Sequence, residues 1–386
     1  MKVRFLIWWE RESALLARGS QGMVSAELHL GVAIDGAGFH PAAWRVSAAE
    51  PAALFTSGHY LKYAKLAEAA SLDFVTLDDS LALQSGGEGV VRGRLDALLT
   101  LSAIAPATSR IGLVPTVTTT HTEPFHISTS VATLDYASRG RAGVLAVPSL
   151  TEAEATHFGR RPAPSPQDGE AETTEVLDVI SRLWDSWEDD AIIRDAASGR
   201  FIDREKLHYV DFEGRFFSVK GPSITPRPPQ RHPVTAVYGD SPHAVGADLV
   251  ITRADHLDAV RAAAARFPGA KVLATVSIVL AETEQGARDR QHELDALVPF
   301  EPVGLSFVGT PAQLAAELPR WAAETGVAGF HLRPAVLPDD LDLLAGEVVP
   351  ALRAAGAFRS GYRGPTLRDH LGLGRAVNAY AVTPGA

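Results

Sequence analysis

The chain has 386 residues, with 36 Lys and Arg against 46 Asp and Glu, a formal charge of −10 and no cysteine. Its 46% apolar content suffices for a full core and excludes wholesale disorder. The acidic balance argues against a broad cationic face for nucleic acid or anionic lipid, and the missing thiols exclude disulfides, thiolate metal sites and a cysteine nucleophile.

The apolar run Phe5-Leu6-Ile7-Trp8-Trp9 turns charged at Glu10, too soon for a bilayer span or a signal sequence. Residues 1–28 therefore read as an N-terminal extension of a cytoplasmic protein, with Met23 a candidate start. From residue 29, β-rich runs alternate with helical ones. Strands are expected at 29–35, 74–79, 111–118, 142–147, 234–238, 248–252, 271–280 and 329–332. Helical spacing covers 61–70, 95–105, 127–136, 172–187, 256–267, 284–297, 311–325 and 339–355. Such alternation implies parallel strands with crossover helices, and eight strands is the number that closes a (β/α)8 TIM barrel. A doubly wound open sheet is the alternative.

Between strands four and five, residues 195–233 carry two β-like runs and a Pro-rich exit, an insertion that reads as a hairpin on the barrel. The fifth β/α unit is short: Pro242 to Ala247 leaves room for one helical turn before the sixth strand. Residues 29–357 form the expected barrel, and 358–386 a tail packed on its outside.

In a barrel, chemistry belongs at the carboxyl ends of the strands. Those ends offer Asp35, Asp78, Asp79, Ser80, Thr116, Thr118, Thr119, Thr120, His121, Ser149, Asp240, Ser241, Thr252 and Arg333. No HExxH, GxSxG, Walker A or dinucleotide fingerprint accompanies them, so no metal site is expected. Hydroxyls with few strong bases suit a bound cofactor that carries the chemistry. Trp184 and Trp187, at helical spacing, are expected to pack on the barrel, and Glu188 to Asp190 to form a solvated face.

The run Arg182-Leu183-Trp184-Asp185-Ser186-Trp187-Glu188-Asp189-Asp190-Ala191 resembles a signature of the bacterial-luciferase-like flavin-dependent monooxygenases, in their nitrilotriacetate and dibenzothiophene-sulfone branch. Gly38 to Arg45, Asp79 to Ala82, Gly140 to Gly143, Gly309 to Pro311 and Gly356 to Arg359 fit the same family in order, so the likeness covers residues 29–380. The resemblance implies a TIM barrel that uses reduced FMN from a separate flavin reductase, with O₂, to oxygenate an organic small molecule. It also implies a homo-oligomer. Carried across residue by residue, it assigns flavin contacts to Asp79, Thr116, Thr118 and Ser241. His40 and His121, which follow strand ends, are the catalytic candidates. Asp240, beside the expected phosphate site, and the shortened fifth unit leave a second reading open: a degenerate barrel that no longer binds flavin and serves as a binding or structural subunit.

Overall fold

The computed structural model describes residues 27–84, 89–239 and 246–381. Eight parallel strands close a barrel: β1 (His29–Ala33), β2 (Phe74–Leu77), β3 (Gly112–Thr118), β4 (Gly143–Val147), β5 (Val234–Tyr238), β6 (Leu249–Thr252), β7 (Lys271–Leu280) and β8 (Gly329–Pro334). Each pairs with the next, and β8 returns to β1, His29 lying opposite Gly329. Among the described residues no helix is long and apolar enough to cross a membrane.

One strand escaped the sequence pattern. Leu305–Gly309 pairs with the upper half of β7, from Val276 to Leu280. The lower half of β7, Lys271 to Ala274, pairs with the four-residue β6. β7 outruns β6, and the added strand takes the backbone groups its upper edge would otherwise leave unpaired. The five-residue run LSFVG is too short to stand out beside the helix that follows it.

Side chains alternate across each strand with period two. One set packs outward under the helices: Leu30, Val32, Val75, Val272, Ala274 and Val276 share a cluster with Tyr63, Leu101 and Leu314. The other set fills the barrel: Phe74, Val114, Leu145, Val234, Ala236, Leu249, Ile251 and Leu273 form a separate cluster. The amino-terminal end of this core is stopped by Leu367 and Leu371 from the helical turn Leu367–His370, both fully buried.

Charges at this base are paired. Arg359 lies 2.6 Å from Asp73, which also meets His29 Nδ1 at 3.2 Å and accepts the Leu30 N–H at 2.7 Å. Burial opposes ionisation of Asp73, but the His29 hydrogen bond and the Arg359 charge hold its carboxyl below the ordinary value. Arg141 donates to Ser138 O, Thr108 Oγ1, Ile111 O, Ala105 O and Thr108 O, which makes the Gly140-Arg141 pair a structural rivet.

The segment between β4 and β5 holds helices Glu152–Phe158 and Pro166–Asp185, then two small hairpins, Ile192–Asp195 with Arg200–Ile202 and Phe212–Glu213 with Ser218–Val219. The tryptophans tie it down: Trp184 Nε1 donates to Ser128 O, and Trp187 Nε1 to Ser223 O. Asp189 and Asp190 are exposed, as a solvated face requires, and the acidic run is also paired. Asp185 and Asp189 grip the buried Arg227 at 2.8 and 2.6 Å, Glu188 meets His208 at 2.8 Å, and Asp190 pairs with Lys206. These carboxylates have cationic partners on the insertion that follows, a long-range fact that helical spacing does not carry.

Candidate active site at the carboxyl end of the barrel

The inward alternation that begins at Phe74 continues to Thr76 and Asp78, and in the same way brings Asp35, Thr116, Thr118, Val147, Tyr238, Arg253 and Arg333 toward the mouth. Here Asp35, Asp78 and Arg333 are gathered without the ion pairs seen at the base. The Asp78 N–H donates to Asp35 Oδ1 at 2.5 Å. Burial, and then the neighbouring Asp78, push the Asp35 carboxyl up to about 7, with Arg333 and Arg94 pulling the other way. Burial lowers the Arg333 guanidinium from its ordinary value and raises the Tyr238 hydroxyl. Arg333 makes no hydrogen bond and no ion pair with a described residue; its guanidinium lies over the Phe39 ring, 3.3 Å from the centroid. One layer below, His331 Nε2 shares a 2.8 Å hydrogen bond with Thr76 Oγ1, and burial lowers this ring to about 3, so it is neutral.

Phe39 is placed by a loop clamped to the loop after β8. Phe39 N–H donates to Pro334 O, His40 N–H to Ala335 O and Leu337 N–H to Ala37 O. Gly38 allows the approach: its φ is +124°, and a Cβ there would stand 2.3 Å from Ala335 O.

Two cavities meet at Asp78. The first, 260 Å³, is walled by Phe39, Trp44, Leu54, Phe55 and Val91, with Asp35, Asp78, Arg94 and Arg333 as its charged groups. The second, 370 Å³, has apolar walls from Ala146, Val147, Pro148, Leu150, Leu177 and Val237, hydroxyls from Thr151, Thr173 and Tyr238, and charged groups from Asp78, Glu154, Glu170 and Arg253. A flavin needs an apolar slot for its ring and hydrogen-bonding groups at the rim. The second cavity has that chemistry, and the buried Thr116 Oγ1 in the barrel has no hydrogen-bond partner. The residues present fit the group.

The sequence-predicted site residues are scattered. Asp79 turns to the following loop, accepting the Ser80 N–H at 2.7 Å and the Ala97 N–H at 2.8 Å, and does not line either cavity. His40 lines the first cavity, but its Nδ1 accepts the Ala42 N–H at 3.1 Å and its Nε2 meets Asp295 at 3.1 Å. Both nitrogens are spent. His121 stacks on Phe158 at 4.9 Å and lines a third cavity of 210 Å³ with Arg160, Arg161 and Glu172, which shares no lining residue with the other two. Thr116 and Thr118 are buried in β3 and point to the barrel interior. Ser241, with Asp240 and the shortened fifth unit, lies at or among residues 240–245, outside the described residues. Asp35, Asp78 and Arg333 had been noted only as polar strand ends; the parity of each strand, counted from its core residues, singles them out. Arg94 sits on a loop, where no periodicity marks it.

Comparisons with known proteins agree with this architecture. The profile of a family described as luciferase-like monooxygenase matches residues 38–356. The chain is 31% identical to N-acetyl-S-(2-succino)cysteine monooxygenase of Bacillus subtilis (strain 168), over 92% of this chain and 98% of that protein. It is also 31% identical to nitrilotriacetate monooxygenase component A of Aminobacter aminovorans, with the same coverage. Among solved structures, a riboflavin lyase with modified FMN and riboflavin superposes with a TM-score of 0.79 at 25% identity, over 90% of this chain and 96% of that one.

Proposed function

Since the chain belongs to the luciferase-like monooxygenase family, we propose that it is an FMN-dependent monooxygenase, oxygenating an organic small molecule at the carboxyl end of the barrel with flavin reduced by a separate reductase. The observation that carries this reading is the pair of cavities joined at Asp78, one with apolar walls and a rim of hydroxyls and charged groups, the other apolar and charged. Reduced flavin, when bound, supplies the electrons that activate O₂.

The protein's own part is placement and dryness. Val147, Pro148 and Val237 would hold the ring, with Tyr238, Thr151 and Thr173 offering hydroxyls around it. The Tyr238 phenol, raised by burial and by Asp78, stays protonated and donates a hydrogen bond instead of acting as a base. Asp35, near 7, is poised to hold or give up a proton close to neutrality. The Phe39 loop, fastened to the loop after β8, sets an apolar ring against Arg333 and shields that face of the guanidinium from water.

Titration with FMN, photoreduced under nitrogen, tests this reading by fluorescence and calorimetry. Dissociation constants near the low micromolar range are expected, tighter for the reduced form. Absence of binding at about 1 mM would overturn it.

A further inference from the structure

We propose that the substrate of this site is an organic carboxylate, gripped in the first cavity by the guanidinium groups of Arg333 and Arg94. This rests on the reading of the mouth as a monooxygenase site and narrows its substrate class. The argument begins with unspent donors. Arg333 lines the cavity, has one face covered by Phe39, and makes no hydrogen bond or ion pair with a described residue. With a face occupied by the ring, the N–H edges are what remain, and a planar fork of N–H groups matches a carboxylate in bidentate fashion. Arg94 lines the same cavity; its Nε is buried without a partner, and its one hydrogen bond is a long 3.5 Å contact to Ala82 O. Elsewhere this chain bonds the guanidinium ends it buries: Arg141 makes five hydrogen bonds, and both terminal nitrogens of Arg227 and of Arg359 are engaged. Arg227 and Arg359, like Arg94, leave Nε without a partner, so the departure lies in the terminal nitrogens that Arg333 and Arg94 leave unbonded in one cavity.

The two acids nearby do not fill the vacancy. Neither Asp35 nor Asp78 comes within ion-pair distance of Arg333 or Arg94, and Asp35 has one oxygen committed to the Asp78 N–H. With its carboxyl pushed up to about 7 by burial and by Asp78, Asp35 offsets the two guanidinium groups only in part near neutrality. The site can therefore take a further anion. Trp44, Leu54, Phe55 and Val91 offer apolar surface to the carbon skeleton behind the carboxylate. Trp44 is itself fixed, its Nε1 donating to Gly89 O at 2.7 Å.

The test is calorimetry on the full chain, with and without saturating FMN, using octanoate, phenylacetate, succinate and citrate against the matching neutral amides. At least one carboxylate should bind while its amide does not. Arg333→Gln should weaken that carboxylate about tenfold or more, Arg94→Gln by a lesser factor, and Arg333→Lys should recover part of the loss. Unchanged melting temperatures separate these effects from misfolding. Amides binding as well as carboxylates would overturn the proposal, as would no carboxylate binding up to about 20 mM. A loss on Arg333→Gln confined to FMN, with riboflavin unaffected, would assign the arginine to the cofactor phosphate and also overturn it. FMN affinity is read separately, so the carboxylate proposal and the monooxygenase reading fail by different signals.

Discussion

The two ends of this barrel are built from the same residue types and treat them in opposite ways. At the base, Arg359, Asp73 and His29 form a connected group with Leu30 N–H, and Arg141 is saturated by carbonyls. At the mouth, Arg333 rests on a ring without a hydrogen bond, Asp35 is raised by burial and by the acid beside it, and the Thr116 hydroxyl is buried without a partner. Burying polar groups is costly unless they are bonded. At the base the buried guanidinium ends are bonded, although Arg359 Nε and both His370 nitrogens stay without partners; at the mouth the whole Arg333 guanidinium is left over, and that surplus marks this end for a ligand. The difference teaches where to look for function: in residual hydrogen-bonding capacity, more than in the presence of charge.

The contrast breaks down unless matched substitutions diverge. Arg359→Ala should cost about 3–5 kcal/mol, because it leaves Asp73 buried without its one guanidinium partner, and urea unfolding should record the loss. Gly38→Ala comes next, at about 1–3 kcal/mol, since its Cβ would collide with Ala335 O and its φ of +124° suits glycine alone. Faster hydrogen exchange in residues 37–41, with the barrel strands still protected, would place that damage in the loop. Arg333→Gln, by contrast, should change stability by no more than about 1 kcal/mol, as no hydrogen bond is lost and the ring contact is offset by relief of desolvation. Should Arg333→Gln destabilise as much as Arg359→Ala, the mouth arginine is structural and the comparison fails.

Acid and base sharpen the same distinction. The groups facing Asp35 are Asp78 just after β2, Arg333 on β8, Arg94 on its loop, Tyr60 on the helix Ser57–Ala69 and Tyr238 on β5. Asp35 is neutral below about 7 and charged above it. The mouth is thus more positive at pH 6 than at pH 8, and an anion bound there favours the protonated form. Carboxylate affinity should rise about three- to tenfold from pH 8 to pH 6, with proton uptake on binding, and Asp35→Asn should flatten the profile. Asp73 at the base, held below the ordinary carboxyl value, contributes nothing across that window.

Much of the fold was legible in the order of strands and helices, because period-two and helical patterns survive even where residue types drift. Leu305–Gly309 was not, since its pairing depends on how far β7 outruns β6. The site was less legible. Asp79 stands next to Asp78, and one step along a strand exchanges the interior for the exterior; Asp79 serves a loop while Asp78 joins the two cavities. His40 follows the first strand as expected, yet Asp295, 255 residues away, takes its second nitrogen. The tryptophan signature proved to hold the insertion and the tail, with Asn378 donating to Asp185 O and Trp187 O. A motif can mark ancestry and carry packing without touching the chemistry.

The smallest effect makes the finest test. Thr116 and Thr76 both place hydroxyls inside the barrel, but Thr76 is bonded to His331 and Thr116 Oγ1 has no partner. Thr76→Val should therefore cost about 1 kcal/mol, the net worth of a buried hydrogen bond plus the orphaned ring nitrogen. Thr116→Val removes a group that costs desolvation and returns nothing, so thermal unfolding should show stability unchanged or raised by up to about 1 kcal/mol. If the hydroxyl is reserved for the cofactor, the same variant should bind FMN several-fold more weakly while folding at least as well. Opposite signs on stability and binding from one methyl-for-hydroxyl exchange would separate reserved capacity from structural need; a loss of both would assign Thr116 to the fold.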